Sequence, residues 1–181
     1  MVRVGVVAFV VLAATACYPR PLTNRVVAVG DSLTVGAEWA GLSTLLRERG
    51  FDPTVDAEVG RRADQAISIV DTLTEGRSGT LLIGLGTNDG PDLASFRRDV
   101  DAIMGAAHGW PVVWALVESG PALPVNAVLR EATERYPNLR LVDFSPTVTA
   151  NPEYRSSDGI HLTYAGYQAR AKFLADQCQK P

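Results

Sequence analysis

The sequence has few of the residues from which metal sites and nucleic-acid surfaces are built. Its 181 residues include two cysteines and two histidines, which do not cluster. No carboxylate-rich loop replaces them, so we expect neither a metal nor another cofactor. Lysine is scarce, no basic run occurs, and the formal net charge is −3. The sequence therefore does not predict a basic surface that would bind nucleic acid.

Long apolar runs are also scarce, and one that does occur, Val4 to Ala13, is too short to span a bilayer stably. It follows a short positive start and precedes Ala14-Thr15-Ala16, which is the pattern of an export signal with its cleavage site. The alternative is a buried N-terminal strand. We expect a signal peptide at 1–16, a short tether at 17–24 and one folded domain at 25–178. This predicts an exported bacterial protein, either a cell-envelope lipoprotein or a secreted one.

Cys17 directly follows the predicted cleavage site, and Ala13-Ala14-Thr15-Ala16-Cys17 resembles the lipid-attachment box of bacterial lipoproteins. The resemblance departs from the usual pattern at Ala14, where Leu is typical. Export to an oxidising compartment would equally permit a disulfide between Cys17 and Cys178. The two fates exclude each other, and we expect lipidation, which would hold the domain close to a membrane.

The chain is organised around the stretch that begins at Arg25. Residues Arg25 to Val29 form a mostly apolar run that stops at Gly30, as a buried strand does, and a helical pattern resumes near Glu38. Ser32 therefore lies on a strand-to-helix turn, where a hydroxyl is presented beside helix N-terminal amides and suits a nucleophile. The alternative is an ordinary turn in which Asp31 or Ser32 caps the helix.

Strands and helices alternate along the rest of the chain, with no internal repeat and no second domain. Such alternation predicts an α/β fold, a three-layer α/β/α sandwich around a five-stranded parallel sheet in a flavodoxin-like order. One long polar segment, Ser145 to Leu162, is predicted to lack regular structure, which in a compact domain indicates function. Further strands are predicted at Phe51 to Val59, Thr80 to Leu85, Pro111 to Val117 and Leu139 to Phe144, and helices at Glu38 to Arg49, Ala63 to Leu73, Pro91 to Ala107, Leu123 to Tyr136 and Thr163 to Gln177.

The residues with catalytic chemistry fall at one rim of this predicted sheet. Ser32 follows the first strand, Gly60 the second and Asn88 the third. Asp158 and His161 lie on the polar segment after the fifth strand. Because ligands of such sheets bind beyond the carboxyl ends of the strands, the sequence predicts that these residues share one site.

From about Arg25 to Gln177 the chain resembles the SGNH (GDSL) hydrolase family. Four blocks carry the resemblance in order along the chain: Gly30-Asp31-Ser32-Leu33, the single glycine Gly60, Gly86-Thr87-Asn88-Asp89 and Asp158-Gly159-Ile160-His161. The first and last blocks are specific, the third moderately so, and the second rests on one glycine in its expected place.

The resemblance implies that Ser32 is the nucleophile, His161 the general base and Asp158 the residue that orients His161. A serine hydroxyl is a poor nucleophile until a base takes its proton, and imidazole titrates near working pH. The resemblance also implies an oxyanion hole built from the backbone amides of Ser32 and Gly60 and the side-chain amide of Asn88.

For the other polar and aromatic residues that stand out in the sequence, we predict structural or solvent-exposed positions rather than catalytic roles. Asp31 and Asp89 are expected to brace the loops by bonding to backbone. Arg61 and Arg62 are expected to be solvated, with attraction of an anionic carrier or headgroup as the alternative. Trp39 is expected to pack in the core, with a place in an acyl pocket as its alternative. His108 is expected to be solvated, and Asn126, Trp110 and Trp114 to be structural.

These observations predict a metal-free serine esterase that works through an acyl-enzyme. The short chain has no lid-like insertion, which favours a short acyl group, such as an acetyl group on a cell-envelope glycan, with lysophospholipid or thioester hydrolysis left open. The expected partner is a small-molecule or glycan ester, and the protein is expected to be a monomer. Two other classes compete: an O-acyltransferase that uses the same Ser32, and a non-catalytic binding module, against which the intact Ser32, Asp158 and His161 argue.

Overall fold

The computed structural model describes Pro19, residues 21–118, Gly120 and residues 122–178. In this part of the chain five strands alternate with seven α-helices and a short 3₁₀ helix. The strands are β1 (Arg25–Gly30), β2 (Asp52–Ala57), β3 (Thr80–Gly84), β4 (Val112–Ala115) and β5 (Leu139–Val142). The helices are α1 (Ser32–Trp39), α2 (Leu42–Glu48), α3 (Ala63–Thr74), α4 (Leu93–Ala106), α5 (Val125–Arg135), α6 (Ser145–Ala150) and α7 (Tyr164–Gln177), and the 3₁₀ helix is Pro152–Tyr154.

The five strands form one parallel sheet in the order β2-β1-β3-β4-β5, which confirms the predicted flavodoxin-like order. In the register of the sheet, Gly30 at the end of β1 pairs with Ala57 on one side and Gly84 on the other. The loops that leave β2, β1 and β3 therefore start side by side at one rim.

Both faces of the sheet are covered, which confirms the three-layer sandwich. Alternate residues of β1 point to opposite faces, because side chains alternate along a strand. Val27 and Val29 pack in the core beneath α3, α4 and α5. Val26 and Ala28 pack in the other core, beneath α1, α2 and α7. The three central strands β1, β3 and β4 are therefore mostly apolar, because both of their faces are buried.

The helix predicted from Glu38 to Arg49 is wrong in its bounds. It starts earlier because the carboxylate of Asp31 accepts the backbone N–H of Leu33 at 2.9 Å and caps α1. It is also divided, because Gly41 has a φ of 103°, a left-handed conformation that separates α1 from α2.

The polar segment Ser145 to Leu162 was expected to lack regular structure, and this is also wrong, since it contains α6 and the 3₁₀ helix. Phe144, Val148 and Leu162 are buried together in a small core of their own. Phe144 also contacts the ring of Phe173 on α7, with centroids 5.3 Å apart. This small core anchors the segment against the last helix.

The predicted signal peptide, residues 1–16, lies outside the described residues, as does Cys17. Cys178 directly follows α7. Lipidation of Cys17 and its bridge to Cys178 therefore both remain predictions. Among the helices in the described ranges, none combines the length and the apolar character that crossing a membrane requires.

Candidate active site

The turn between β1 and α1 presents Ser32 as the first residue of a helix. The turn is tight: a Cβ on Gly30 would lie 1.9 Å from Thr34 Oγ1, so no side chain fits at this position. The backbone N–H of Asp31 donates to the Gly84 carbonyl at 3.0 Å, which fixes the turn to β3. Asp31 is buried and caps α1, as expected for a residue that braces the loop.

Side chains from two distant parts of the sequence meet at this turn. His161 Nε2 lies 3.0 Å from Ser32 Oγ, and His161 Nδ1 lies 2.7 Å from Asp158 Oδ2. The structure therefore brings together the residues predicted as nucleophile, base and orienting acid. When Nδ1–H donates to the carboxylate, Nε2 is left as the acceptor for the Ser32 hydroxyl proton.

The chain geometry between Asp158 and His161 fixes the orientation of both groups. The backbone N–H groups of Ile160 and His161 each donate to Asp158 Oδ1 at 2.9 Å, while Gly159 takes a φ of 74° at the turn. The hydrogen bond from His161, followed by these two amides, lowers the pKa of Asp158 to about 2. Asp158 is therefore a carboxylate at any pH at which the protein would work. Its side chain is also 48% exposed, and contact with water favours the charged form.

The predicted oxyanion residues lie on the loops that leave the two neighbours of β1. Gly60 has a φ of 80°, in the left-handed region, and follows β2. Asn88 follows β3, and its Nδ2 donates to the Arg61 carbonyl at 3.1 Å, which ties the two loops together. An amide nitrogen has two hydrogens, so the second N–H of Asn88 is left for a substrate oxygen.

Asp89 makes a second tie between the same two loops, as expected for a bracing residue. Its carboxylate oxygens accept the backbone N–H of Ala63, the first residue of α3, at 3.0 and 3.3 Å. The side chain is buried, and this desolvation raises the pKa of Asp89 to about 6.

The prediction that Arg61 is solvated is wrong, because the side chain is buried with a residue exposure of 6%. Its guanidinium pairs with the Asp56 carboxylate at 2.7 Å and donates to the Asp56 carbonyl at 2.8 Å. The end of β2 provides these partners, which sequence spacing did not reveal. Arg62 is exposed and pairs with Asp64 at 2.7 Å. Both arginines thus have carboxylate partners, which disfavours capture of an anionic carrier.

Sequence reasoning missed a buried ion pair behind the nucleophile turn. Glu118, just after β4, pairs with Arg170 on α7, and both side chains are almost fully buried. Burial lowers the pKa of Arg170 to about 10, and the negative charge of Asp31 opposes that shift. The sequence signal was available, since Glu118 directly follows a strongly apolar run. The pair joins the strand layer to the helix that follows His161.

Trp39 was expected in the core, and this is wrong, since its residue exposure is 81%. The remaining structural expectations hold in the described residues. Asn126 is buried and bonds both backbone groups of Val117 at 2.9 Å. Trp110 and Trp114 are buried. The His108 side chain is 41% exposed and bonds Asp71 at 2.9 Å.

The sheet order, the serine at the first strand-to-helix turn, and the Asp and His before the last helix define the architecture of SGNH-type esterases and acyltransferases. A family model described as "GDSL-like Lipase/Acylhydrolase family" matches residues 28–169. The chain belongs to this family, and is therefore an enzyme of a family that acts on esters.

Among curated proteins, the chain is similar to peptidoglycan O-acetyltransferase OatA of Listeria monocytogenes, with 29% identity over 168 residues, 92% of this chain and 26% of the relative. It is also similar to the putative peptidoglycan O-acetyltransferase YrhL of Bacillus subtilis, with 27% identity over 150 residues, 82% of this chain and 23% of the relative. The chain thus spans about a quarter of the length of these relatives.

Two solved structures show the same fold. The C-terminal catalytic domain of Streptococcus pneumoniae peptidoglycan O-acetyltransferase A has a TM-score of 0.66 at 21% identity, covering 85% of this chain and 89% of that chain. The lipase/acylhydrolase from Enterococcus faecalis has a TM-score of 0.69 at 17% identity, covering 84% and 94%. At these identities the likeness concerns the fold.

Proposed function

We propose that this chain is an O-acyltransferase domain that carries a short acyl group, such as acetyl, on Ser32 and passes it to a hydroxyl of a cell-wall glycan. The observation that carries the acyl-enzyme in this proposal is the hydrogen-bonded series Ser32–His161–Asp158, with contacts of 3.0 and 2.7 Å. The names of the Listeria and Bacillus relatives support transfer to a glycan over hydrolysis as the main activity.

In the first half-reaction the Ser32 hydroxyl attacks the carbonyl carbon of the acyl donor. His161 Nε2 takes the hydroxyl proton, and Asp158 stabilises the imidazolium that forms. The negative charge on the carbonyl oxygen is held by the amides of Ser32 and Gly60 and by the side-chain N–H of Asn88. Collapse of this intermediate breaks the bond to the donor oxygen or sulfur, which receives the proton from His161, and leaves an ester on Ser32.

In the second half-reaction the acceptor hydroxyl takes the place of the donor. His161 removes its proton, the acceptor oxygen attacks the ester on Ser32, and the proton returns to Ser32 Oγ as the new ester leaves. The same residues act in both halves because the second half is the reverse of the first with a different alcohol.

Hydrolysis is the second candidate, and the exposure of the site favours it. The side chains of His161 and Asp158 are 41% and 48% exposed, so water reaches the base without movement of a lid. Water then acts as the acceptor in the second half-reaction, and the chain is an esterase that removes acyl groups from a glycan. Lysophospholipids and thioesters are further donors for the same chemistry.

We further propose that the domain works outside the cytoplasm, with 1–16 as its signal peptide and Cys17 as a lipid anchor. The N-terminal pattern supports this location, as does a peptidoglycan substrate. Intact mass of the protein extracted from membranes tests the anchor, because a diacylglyceryl adduct on Cys17 excludes its bridge to Cys178.

Product analysis separates the two candidate activities. The full chain and its Ser32→Ala variant are incubated with p-nitrophenyl acetate, with and without glycan oligomers, and the products are analysed by mass spectrometry. Oligomers that gain acetyl groups only with intact Ser32 support transfer. Release of acetate alone, at a rate that oligomers leave unchanged, supports hydrolysis. Equal turnover by the Ser32→Ala variant contradicts the acyl-enzyme in both.

A further inference from the structure

Two large aromatic side chains are exposed on one side of the candidate active site. Trp39 is 81% exposed and Tyr164 is 66% exposed. Both line the same open groove, with a volume of about 420 Å³, together with Thr44, Gln168 and Lys172. We call this the Trp39–Tyr164 groove. Exposed aromatic surface of this kind, rimmed by polar groups, marks a site of interaction.

The groove is formed largely by helices that start at the candidate active site. Ser32 is the first residue of α1, and Trp39 is the last. At about 1.5 Å per residue the two are roughly 10 Å apart along the helix. Tyr164 is the first residue of α7, three positions after His161. Trp39 and Tyr164 therefore lie on the two helices that begin at or directly after the candidate catalytic residues.

Close packing of α1 against α7 keeps the two aromatic rings out of the core. A Cβ on Gly36 would lie 2.2 Å from the Tyr167 ring, so the helices touch at this point with no room for another side chain. The buried side of α1 is Leu33, Thr34, Gly36 and Ala37. Trp39 and Tyr164 are left on the outer surface, where no contact of the described chain covers most of either ring.

The groove and the loops proposed to hold the oxyanion belong to opposite faces of the sheet. The loops of Gly60 and Asn88, which hold the oxyanion, lead into α3 and α4 on one face of the sheet. The groove is formed by α1, α2 and α7 on the opposite face. The residues that line the groove are therefore separate from those proposed to hold the oxyanion, so a glycan on the groove does not compete for them.

The lining of the groove is matched to a sugar chain. Aromatic rings offer flat apolar faces, and Thr44, Gln168 and Lys172 offer hydrogen-bonding groups beside them. A pyranose has the complementary character, with apolar C–H faces and a rim of hydroxyl or amide groups. A long acyl chain fits poorly, since an open groove leaves much of it in water.

We propose that the Trp39–Tyr164 groove binds the oligosaccharide part of the substrate, as a chain of N-acylated amino sugars, and so positions its hydroxyl or ester at Ser32. This inference rests on the proposed function and names the surface by which a glycan is selected.

The test compares a glycan with a minimal ester in matched variants. Trp39→Ala and Tyr164→Ala each remove one exposed ring, and Leu22→Ala removes an equally exposed apolar side chain (83%) outside the groove. The substrates are p-nitrophenyl acetate alone and p-nitrophenyl acetate with N-acetylglucosamine tetrasaccharide as acceptor. We expect both groove variants to lower kcat/KM for the tetrasaccharide at least tenfold and to leave p-nitrophenyl acetate turnover within twofold. Leu22→Ala should change neither, and Trp39→Phe should retain most of the tetrasaccharide rate.

A binding measurement keeps this inference separate from the proposed function. In the full chain with Ser32→Ala, the tetrasaccharide should quench tryptophan fluorescence, and this signal reports on Trp39 because Trp110 and Trp114 are buried. Adding Tyr164→Ala, which keeps Trp39 as the reporter, should raise the tetrasaccharide concentration needed for half-maximal quenching at least tenfold. Binding without turnover by the wild type would refute the proposed function alone. The groove assignment would be overturned by unchanged binding in the Tyr164→Ala background, by no binding to the Ser32→Ala chain, or by binding of lysophospholipid micelles through Trp39 instead.

Discussion

Replacement of Asn88 by alanine tests the oxyanion hole most directly. One N–H of its side chain is engaged, since Nδ2 donates to the Arg61 carbonyl at 3.1 Å. The other N–H is the proposed donor to the oxyanion. The engaged bond also holds the loop that carries Gly60, the second proposed donor. Asn88→Ala therefore removes one oxyanion donor outright and loosens the support of another.

The size of the effect follows from these two contributions. Loss of one oxyanion donor typically costs about 3–4 kcal/mol of transition-state stabilisation, or about a hundredfold to a thousandfold in kcat. Because the Gly60 loop also loses a tie, we expect the upper part of that range. The hydrogen bond to Arg61 contributes about 1 kcal/mol to folding, so the midpoint of thermal unfolding should fall by only about 2–4 °C.

The assay measures kcat and KM separately for p-nitrophenyl acetate, with thermal unfolding followed by circular dichroism. Asn138→Ala is a matched control, because Asn138 Nδ2 donates to the Trp110 carbonyl at 2.8 Å, a comparable bond remote from the site. We expect a large fall in kcat with little change in KM for Asn88→Ala, and wild-type kcat for the control. An Asn88→Ala enzyme within threefold of wild-type kcat, with its fold intact, would remove Asn88 from the oxyanion hole.

Three further variants probe the groups around the site. Asp158→Asn should lower kcat by about 10²–10³-fold. This is less than the roughly 10⁴-fold loss for a buried triad aspartate, because water screens the charge of Asp158, whose side chain is 48% exposed. Wild-type kinetics of this variant on p-nitrophenyl acetate would refute the orienting role. Gly60→Ala should lower the free energy of unfolding by about 1–2 kcal/mol, because alanine is strained at this positive φ. It should also turn the backbone N–H of residue 60 away from the oxyanion. If stability falls but kcat does not change, that N–H is not an oxyanion donor. The pKa of Asp89 is raised from 3.8 to about 6 by burial, so the folded chain holds this proton more tightly than the unfolded chain, and stability falls as pH rises from about 4 to 6. Asp89→Asn should flatten that part of the stability curve in urea unfolding, and an unaltered slope would assign the pH dependence to other groups.

The sheet and the meeting of the catalytic side chains were predictable because both follow from short-range patterns. Apolar runs such as Arg25 to Val29 end at glycines, which marks the ends of strands. Because strands and helices alternate, the crossover connections must be right-handed and the helices must cover both faces of the sheet. The carboxyl ends of adjacent parallel strands then converge, so Ser32 had to lie near the loops of Gly60 and Asn88. The contact between Asp158 and His161 was predictable from their spacing, since a turn of three residues brings the carboxylate within reach of Nδ1.

The errors share a different cause, which is dependence on partners elsewhere in the fold. Trp39 shares its helical face with Leu42, Leu45 and Leu46 only if the helix is continuous. Gly41 breaks it, and the phase of α1 is set instead by the Asp31 cap, which leaves Trp39 outside. The burial of Arg61 depends on the side chain and carbonyl of Asp56 at the end of β2. The amino-acid sequence alone does not specify these contacts.

The difference between a transferase and a hydrolase does not lie in the catalytic side chains, since both need the same ester on Ser32. It lies in which hydroxyl reaches that ester. The site is open to water at about 55 M, whereas well-oriented bound groups reach effective concentrations of about 10⁵ M or more. If the Trp39–Tyr164 groove holds the acceptor as proposed, that acceptor should outcompete water without any lid, and an empty groove should leave hydrolysis as the outcome. On the proposed mechanism, Ser32, His161 and Asp158 of this chain would serve transfer and hydrolysis alike, and occupancy of the surface beside α7 would decide between the two.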